Sequence, residues 1–475
     1  MRCYPVAFRF APARPPAVAA EAMVATSQPL ATRAGLRALE RGGNAVDAAL
    51  AAAAVLSVVE PMATGVGGDA FALVWDGERL HGLDAAGPAP RGAEPLIPVE
   101  ELGPRSVTVP GAVAGWAALA ERFGRFGLDT VLADAVAAAE NGFAVGRTTA
   151  ETWTLAPIPR PGHRTRLPEL GRTLRRIAAE GPTAVYEGDV AAAIASCTWL
   201  AEDDLAAYAP AWVETLTLEY RGTTVCELPP PTQGVAALEA LGLLGLNEPS
   251  LPAQVECARL ALEDALAHVR DGADVSGLLD PERLTRRRGE AAAPVGEPRG
   301  GTVYLCAVDG DGLAVSFIQS LYYAFGSRIV APGTGIVLQN RGACFALGGA
   351  VEPGRRPYHT IIPGMLLRGG RLLGPFGVMG GFLQAQAHLQ LVSALVDDGL
   401  NPQAALDRPR FVVRDSTVRL EEGLWERSGE LDGLGLAVVE SRERSEFGGG
   451  QAILVDGDLL VGGSDARKDG YAAGF

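Results

Sequence analysis

Cysteine and histidine are both scarce and scattered. The 475 residues include six cysteines (Cys3, Cys197, Cys226, Cys257, Cys306, Cys344) and five histidines (His81, His163, His268, His359, His388). None falls in a CxxC or mixed Cys/His spacing, which argues against a zinc site and leaves the thiols as free side chains of a reducing compartment. No metal and no other cofactor is expected. Positive charge is also in deficit. A formal net charge of −15 argues against nucleic acid and anionic membrane as partners. The one basic run, Arg286-Arg287-Arg288, reads as a solvated loop. Long apolar runs are missing too, because the stretch 48–59 is too short to cross a bilayer. Residues 1–20 are broken by prolines and arginines and lack the apolar core of a signal peptide, so cytoplasmic residence is the default expectation.

What is present is the composition of a globular protein, 48% hydrophobic and 20% charged, with material for one large core. Sixty glycines point to many tight turns and close backbone approaches. Ser27 is placed to cap a helix that ends at Gly42-Gly43. Asn44, with Asp47 three residues on, caps an Ala-rich helix that is apolar almost all round and therefore buried. Gly65, Gly67 and Gly68 form a loop before a hairpin, 70–75 with 80–84. Residues 111–215 read as mainly helical, with an interruption near 157–167. LPPPTQG (228–234) leads into a further helix, and another lies near 252–268. Residues 271–301 are rich in Gly, Pro, Arg and Glu, and read as an exposed, mobile connector.

After position 301 the pattern turns to strands. Residues 303–308 and 313–320 flank Asp309-Gly310-Asp311-Gly312 as a hairpin. Strands are expected at 335–339, 360–368, 371–376, 451–455 and 458–461, and a helix at 383–397. Thr302 opens this half, directly after Gly301 and the connector. A threonine hydroxyl needs a base beside it to act as a nucleophile. Cutting the chain before Thr302 would supply one, its own α-amine, which titrates near pH ~8 and is partly neutral at pH 7.

Eight motifs then occur in one order: the segment from MVATSQPL to GVGGDAF (23–71), SVTVPGAVAGW (106–116), LPPPTQG, the Thr302 hairpin, FGSRIVAPGTGIVLQN (325–340), RRPYHTIIP (355–363), MGG (379–381) and SDARKDGYAAG (464–474). In this the chain resembles the γ-glutamyltransferase family over nearly its whole length. The resemblance implies an α+β fold, the four-layer αββα sandwich of N-terminal nucleophile hydrolases. It also implies a precursor cut between Gly301 and Thr302 into a helix-rich large chain (1–301) and a strand-rich small chain (302–475) that stay associated as one unit. Its activity would be hydrolysis or acyl transfer on a small amide, through an acyl-enzyme on Thr302, as in glutathione metabolism. Gly380 and Gly381 match the family's oxyanion-hole pair. Ser320 matches a hydroxyl that supports the nucleophile, with a solvent-facing strand serine as the alternative. Homo-oligomerisation is compatible with this picture.

The head-group ligands depart from the family pattern. Ala86 stands where the family has a carboxylate-binding Arg, in Asp84-Ala85-Ala86-Gly87-Pro88-Ala89-Pro90. Tyr322 replaces an Asn. Arg341 and Cys344 replace the Gln and Asp that hold an α-amino group, and His359 and Thr360 replace a pair of serines. Losing the Arg and the Asp removes two charge-assisted contacts worth roughly 1.5–3 kcal/mol each. Arg341 should repel an ammonium and favour an anion, unless it is a surface arginine paired with a glutamate. His359 either bonds the substrate or packs beside Tyr358. The pattern resembles a divergent subgroup that includes oxamate amidohydrolase and glutaryl-type cephalosporin acylases. Three readings follow: a γ-glutamyl-type amidohydrolase, a hydrolase of a dicarboxylate monoamide or glutaryl amide, and a non-catalytic protein that binds a small anion.

Overall fold

The computed structural model describes residues 14–95, 100–290, 292, 301–348 and 350–475. Two seven-stranded antiparallel sheets form its middle. The first runs in the order Tyr471–Gly474, Met23–Thr26, Gly301–Val308, Ala314–Tyr322, Asp69–Trp75, Leu80–Ala85, Ala211–Val213. The second runs Ala17–Ala19, Leu459–Ser464, Gly449–Asp456, Arg371–Met379, Gly364–Arg368, Thr223–Glu227, Leu216–Tyr220. Both sheets therefore combine strands from before and after position 301.

Side-chain alternation sorts the core into layers. Along Gly301–Val308 the residues Val303, Leu305 and Ala307 join the helices Pro29–Glu40 and Ala45–Val59 in one apolar cluster. Tyr304, Cys306 and Val308 face the second sheet and meet Cys226, Met365, Met379 and Ile453. The far side of that sheet, with Val225, Leu366, Phe376 and Val378, is covered by Gly234–Gly245, Leu251–His268 and Leu383–Val396. The result is the expected α, β, β, α stack, and strands buried on both faces explain the near-continuous apolar runs. Where the sheets meet, Gly377 lies under the ring of Tyr304, and a Cβ there would fall 2.4 Å from Tyr304 Cε2.

The Asn44 cap is a full capping box, with Asn44 Oδ1 accepting from Val46 and Asp47 N–H and Asp47 accepting from Asn44 N–H at 2.9 Å. Asp309, in the turn of the Thr302 hairpin, extends it by accepting from Ala45 N–H at 2.8 Å, while its other oxygen accepts from Asp311 and Leu313 N–H. One carboxylate thus ties the Thr302 hairpin to the buried helix that backs it.

Four local expectations are corrected. Ser27 is not the cap of the first helix. Gln28 accepts from Leu30 N–H, and Ser27 Oγ donates instead to Glu60 Oε2 at 2.5 Å. Residues 335–339 form no strand, because Gly333 and Gly335 at φ +73° and +68° turn the chain. Ser276–Leu279 and Pro281–Arg287 are helical, so the connector's first half is ordered; 291 and 293–300 lie outside the described residues. Asp280 caps the second of these helices ahead of Pro281, a start signal hidden by the Gly/Pro/Arg composition. The basic run is likewise not a solvated loop throughout. Arg287 is buried against Asp264, Glu263 and Glu290 at 2.8, 2.6 and 2.8 Å.

Asp309→Ala should lower stability by about 1–3 kcal/mol in chemical denaturation, since it strands buried backbone donors. Asp311→Ala, two residues away but largely exposed and paired only to exposed Arg125, should stay within about 0.5 kcal/mol of wild type.

Candidate active site

Thr302 is the second residue of its strand and pairs with Ser320, with a register shift between Gly301 and Thr302. It has the same parity as Tyr304, so its side chain stands on the face between the sheets, 5% exposed. Thr302 Oγ1 donates to Ser320 Oγ at 3.1 Å. Ser320 Oγ donates in turn to the carbonyl oxygen of Gly301 at 2.8 Å, the carbonyl of the peptide bond that precedes Thr302. Ser320 Oγ also receives Tyr322 N–H at 2.9 Å and Arg341 Nη2 at 3.2 Å. Three donors converge on a hydroxyl with two lone pairs, so the site is rich in donors. Ser320 is fully buried, which removes the reading of it as a solvent-facing strand serine.

The backbone around this pair is held under constraint. Tyr322 sits at φ +75°, a conformation that costs a non-glycine residue and gathers at functional sites. The Gly65–Gly68 loop is glycine for reasons of space, since a Cβ on Gly68 would come 2.4 Å from Ser320 O and one on Gly67 2.2 Å from Val337 O. Ala63 O and Met62 O accept from Leu321 and Phe325 N–H at 3.1 and 2.9 Å.

Arg341 is wholly buried, so it is not a surface arginine paired with a glutamate. Its guanidinium reaches Ser320 Oγ, Thr360 Oγ1 at 3.3 Å and Cys344 Sγ at 3.9 Å, and stacks 4.5 Å from the centre of the Tyr322 ring. Among the described residues no carboxylate pairs with it, and its Nε–H has no partner. Burial pushes the Cys344 thiol pKa up, with Arg341 pulling the other way. The neighbouring turn is fixed by Gln339, which accepts from Arg341 N–H and donates to Thr108 O at 3.1 Å, and by Asn340, which accepts from Tyr323 N–H and donates to Glu101 O.

His359 does not pack beside Tyr358, whose ring meets Phe382. Both nitrogens of His359 are engaged, Nδ1 at 2.7 Å from Pro357 O and Nε2 at 3.3 Å from Asp69. Burial, and then Arg341, lowers its pKa against the pull of Asp69. Ala86 is buried. Asp84, in the same segment, is bound by Arg356, which also meets Asp271 at 2.6 Å.

Gly380 and Gly381 follow the strand Arg371–Met379 with φ +139° and +63°. That strand passes beneath Tyr304 through Gly377, so its end runs toward the Thr302 end of the first sheet. A residue not singled out from sequence makes the link. Gln233, in LPPPTQG, donates to Thr360 O at 2.7 Å and Gly381 O at 3.1 Å, and receives the Tyr358 hydroxyl. Hydrogen bonds thus run from Thr302 through Ser320, Arg341, Thr360 and Gln233 to Gly381. The only sequence signal for Gln233 was its place in a motif whose prolines drew the attention.

The chain is similar to known proteins over nearly its whole length. Residues 31–475 match the model of the gamma-glutamyltranspeptidase family. The chain is 34% identical to the glutathione hydrolase-like YwrD proenzyme of Bacillus subtilis, covering 95% of this chain and 98% of that one. It is 33% identical to the oxamate amidohydrolase proenzyme of Klebsiella pneumoniae, over 96% and 99%. The crystal structure of a cephalosporin acylase from Bacillus halodurans superposes with a TM-score of 0.91 at 40% identity, over 99% of both chains. The αββα stack is that of the N-terminal nucleophile hydrolases, and the chain is an enzyme of the gamma-glutamyltranspeptidase family.

Proposed function

We propose that this protein is a self-processing threonine amidohydrolase for a small amide that carries a carboxylate and no neighbouring ammonium. The observation that carries this reading is Arg341, a buried cation with an unpartnered N–H and no carboxylate partner among the described residues, 3.2 Å from the Ser320 hydroxyl that meets Thr302. A substrate carboxylate would supply the missing anion in a dicarboxylate monoamide or a glutaryl amide. That fits relatives named for oxamate and cephalosporin chemistry. A γ-glutamyl group is the weaker candidate, because its ammonium would meet Arg341 and a neutral Cys344.

Maturation would begin when Thr302 Oγ attacks the Gly301 carbonyl carbon. The Ser320 hydroxyl already donates to that carbonyl's oxygen and would stabilise the charge that develops there. The Gly301–Thr302 amide breaks, leaving an ester on Thr302 Oγ and a free α-amine. Water then hydrolyses the ester to a Gly301 carboxylate and restores the hydroxyl. The two chains would remain together because strands of both are hydrogen-bonded to one another in both sheets. In turnover the α-amine accepts the Oγ proton as Oγ attacks the substrate amide. Backbone N–H groups at Gly380-Gly381 would receive the oxyanion. The proton passes to the leaving amine, and water attacks the acyl-enzyme to release the acid.

Two experiments test this. Intact mass spectrometry should show wild type as two chains ending at Gly301 and beginning at Thr302, Thr302→Ala as one uncut chain, and Ser320→Ala as slowly cut. A wild type that stays whole while folded would sink the catalytic reading. For processed enzyme, Arg341→Gln should raise KM for glutaryl and oxamate-type amides roughly ten- to a hundredfold, the size of one charged contact. An unchanged KM would remove Arg341 from the substrate site.

A further inference from the structure

The Ser320 hydroxyl has one proton to give and lone pairs with which to accept. Among the groups that meet it, the Gly301 carbonyl oxygen can only accept, while Tyr322 N–H and Arg341 Nη2 can only donate. The Ser320 proton therefore points to Gly301 O at 2.8 Å, the oxygen of the peptide bond before Thr302. Donation runs one way, from the guanidinium to Ser320 Oγ at 3.2 Å and on to Gly301 O. A hydroxyl that accepts from a cation becomes a stronger donor, because linked hydrogen bonds polarise one another. Tyr322 steadies this line twice, with its N–H on Ser320 Oγ and its ring centre 4.5 Å from the guanidinium.

The other polar contacts of the Arg341 guanidinium are the Thr360 hydroxyl and the Cys344 thiol. Among the described residues no carboxylate cancels its charge, and in a buried setting that charge acts over the span of two hydrogen bonds. When Thr302 Oγ bonds to the Gly301 carbonyl carbon, negative charge collects on Gly301 O, at the end of this line. The step closes as the C–N bond breaks and the Oγ proton passes to the freed amine. We propose that Arg341 is a positioning residue for self-cleavage, acting through Ser320 on the Gly301 oxyanion before any substrate is bound. The proposal rests on the reading of Thr302 as a nucleophile that cuts its own chain. It does not depend on which amide the mature enzyme hydrolyses.

The test follows conversion of the full-length chain into two chains by intact mass spectrometry, timed from cell-free synthesis. Arg341→Gln should cut about tenfold slower than wild type, the worth of one charged hydrogen bond. In a Ser320→Ala background the same change should slow the cut no further, because Arg341 acts through that hydroxyl. Cys344→Asp leaves Arg341 in place and sets a carboxylate against its guanidinium. It should resist denaturant at least as well as Cys344→Asn, yet cut about tenfold slower. A merely structural arginine would be better held by the aspartate and would cut no slower. This pair also decides the matter if Arg341→Gln does not fold, which circular dichroism of the uncut Thr302→Ala forms would show. With wild type cut, three results would each overturn the proposal and leave Thr302 as the nucleophile: wild-type speed in Arg341→Gln, equal speed in Cys344→Asp and Cys344→Asn, or a further tenfold loss from Arg341→Gln without Ser320. A wild type that stays whole would instead remove self-cleavage itself.

Discussion

The hydroxyl of Ser320 is the contact on which the rest of the site turns. It touches Thr302 Oγ1, the Gly301 carbonyl before it, and the buried guanidinium of Arg341. None of these distances is set by Ser320 alone. Its place opposite Thr302 is a matter of strand register, and a slip of one residue between the two strands would put the two side chains on opposite faces. Register is in turn held by burial on both faces, by the Gly377–Tyr304 contact between sheets, and by Asp309, which joins the hairpin turn to the helix behind it.

A buried guanidinium without an anion is expensive. Desolvating a charge costs several kcal/mol even after relaxation. Three weak acceptors and a Tyr322 ring worth about 0.5–2 kcal/mol recover only part of that. The fold tolerates the deficit beside Thr302, where the carboxylate of the proposed substrate would relieve it. The same arrangement disfavours an ammonium. Burial holds Cys344 as a neutral thiol and His359 is pushed toward its neutral form, so neither offers negative charge to an amino group.

Much of the fold was legible because it rests on local rules. Period-two alternation placed the hairpins, Asn44 and Asp47 announced a capping box, and an all-round apolar helix could only be interior. The failures also have physical causes. Asp280-Pro281 is a clear helix start, but the glycines and arginines around it masked the signal. Ser27 and Gln28 are both able to accept from a helix N-terminus, and which one does so depends on Glu60, far away in sequence. The burial of Arg341 could not be read locally either, since nothing in QNRGACF shows that Tyr322, Thr360 and Ser320 close over it. Gln233 acts at a distance on Thr360 and Gly381, and no spacing rule exposes such a contact.

The division between what resembles the family and what departs from it follows from this geometry. Thr302 and Ser320 lie on paired central strands, and Gly380-Gly381 ends another, so changing any of them disturbs a sheet. Arg341 and Cys344 come from the short 3-10 helix Arg341–Cys344, and His359 and Thr360 from a segment before the strand Gly364–Arg368. These segments are held mainly by side-chain hydrogen bonds from Gln233, Gln339 and Asn340. Ligands on such segments can be exchanged without moving Thr302, because the elements that carry them do not set its register. On the proposed reading, an Arg in place of a Gln alters which head group is welcome and leaves the attack on an amide carbonyl intact. The same rigid frame then requires that the cation be satisfied from the substrate side, since Ser320 and Thr360 offer it hydroxyls and Cys344 a thiol, and among the described residues no carboxylate pairs with it.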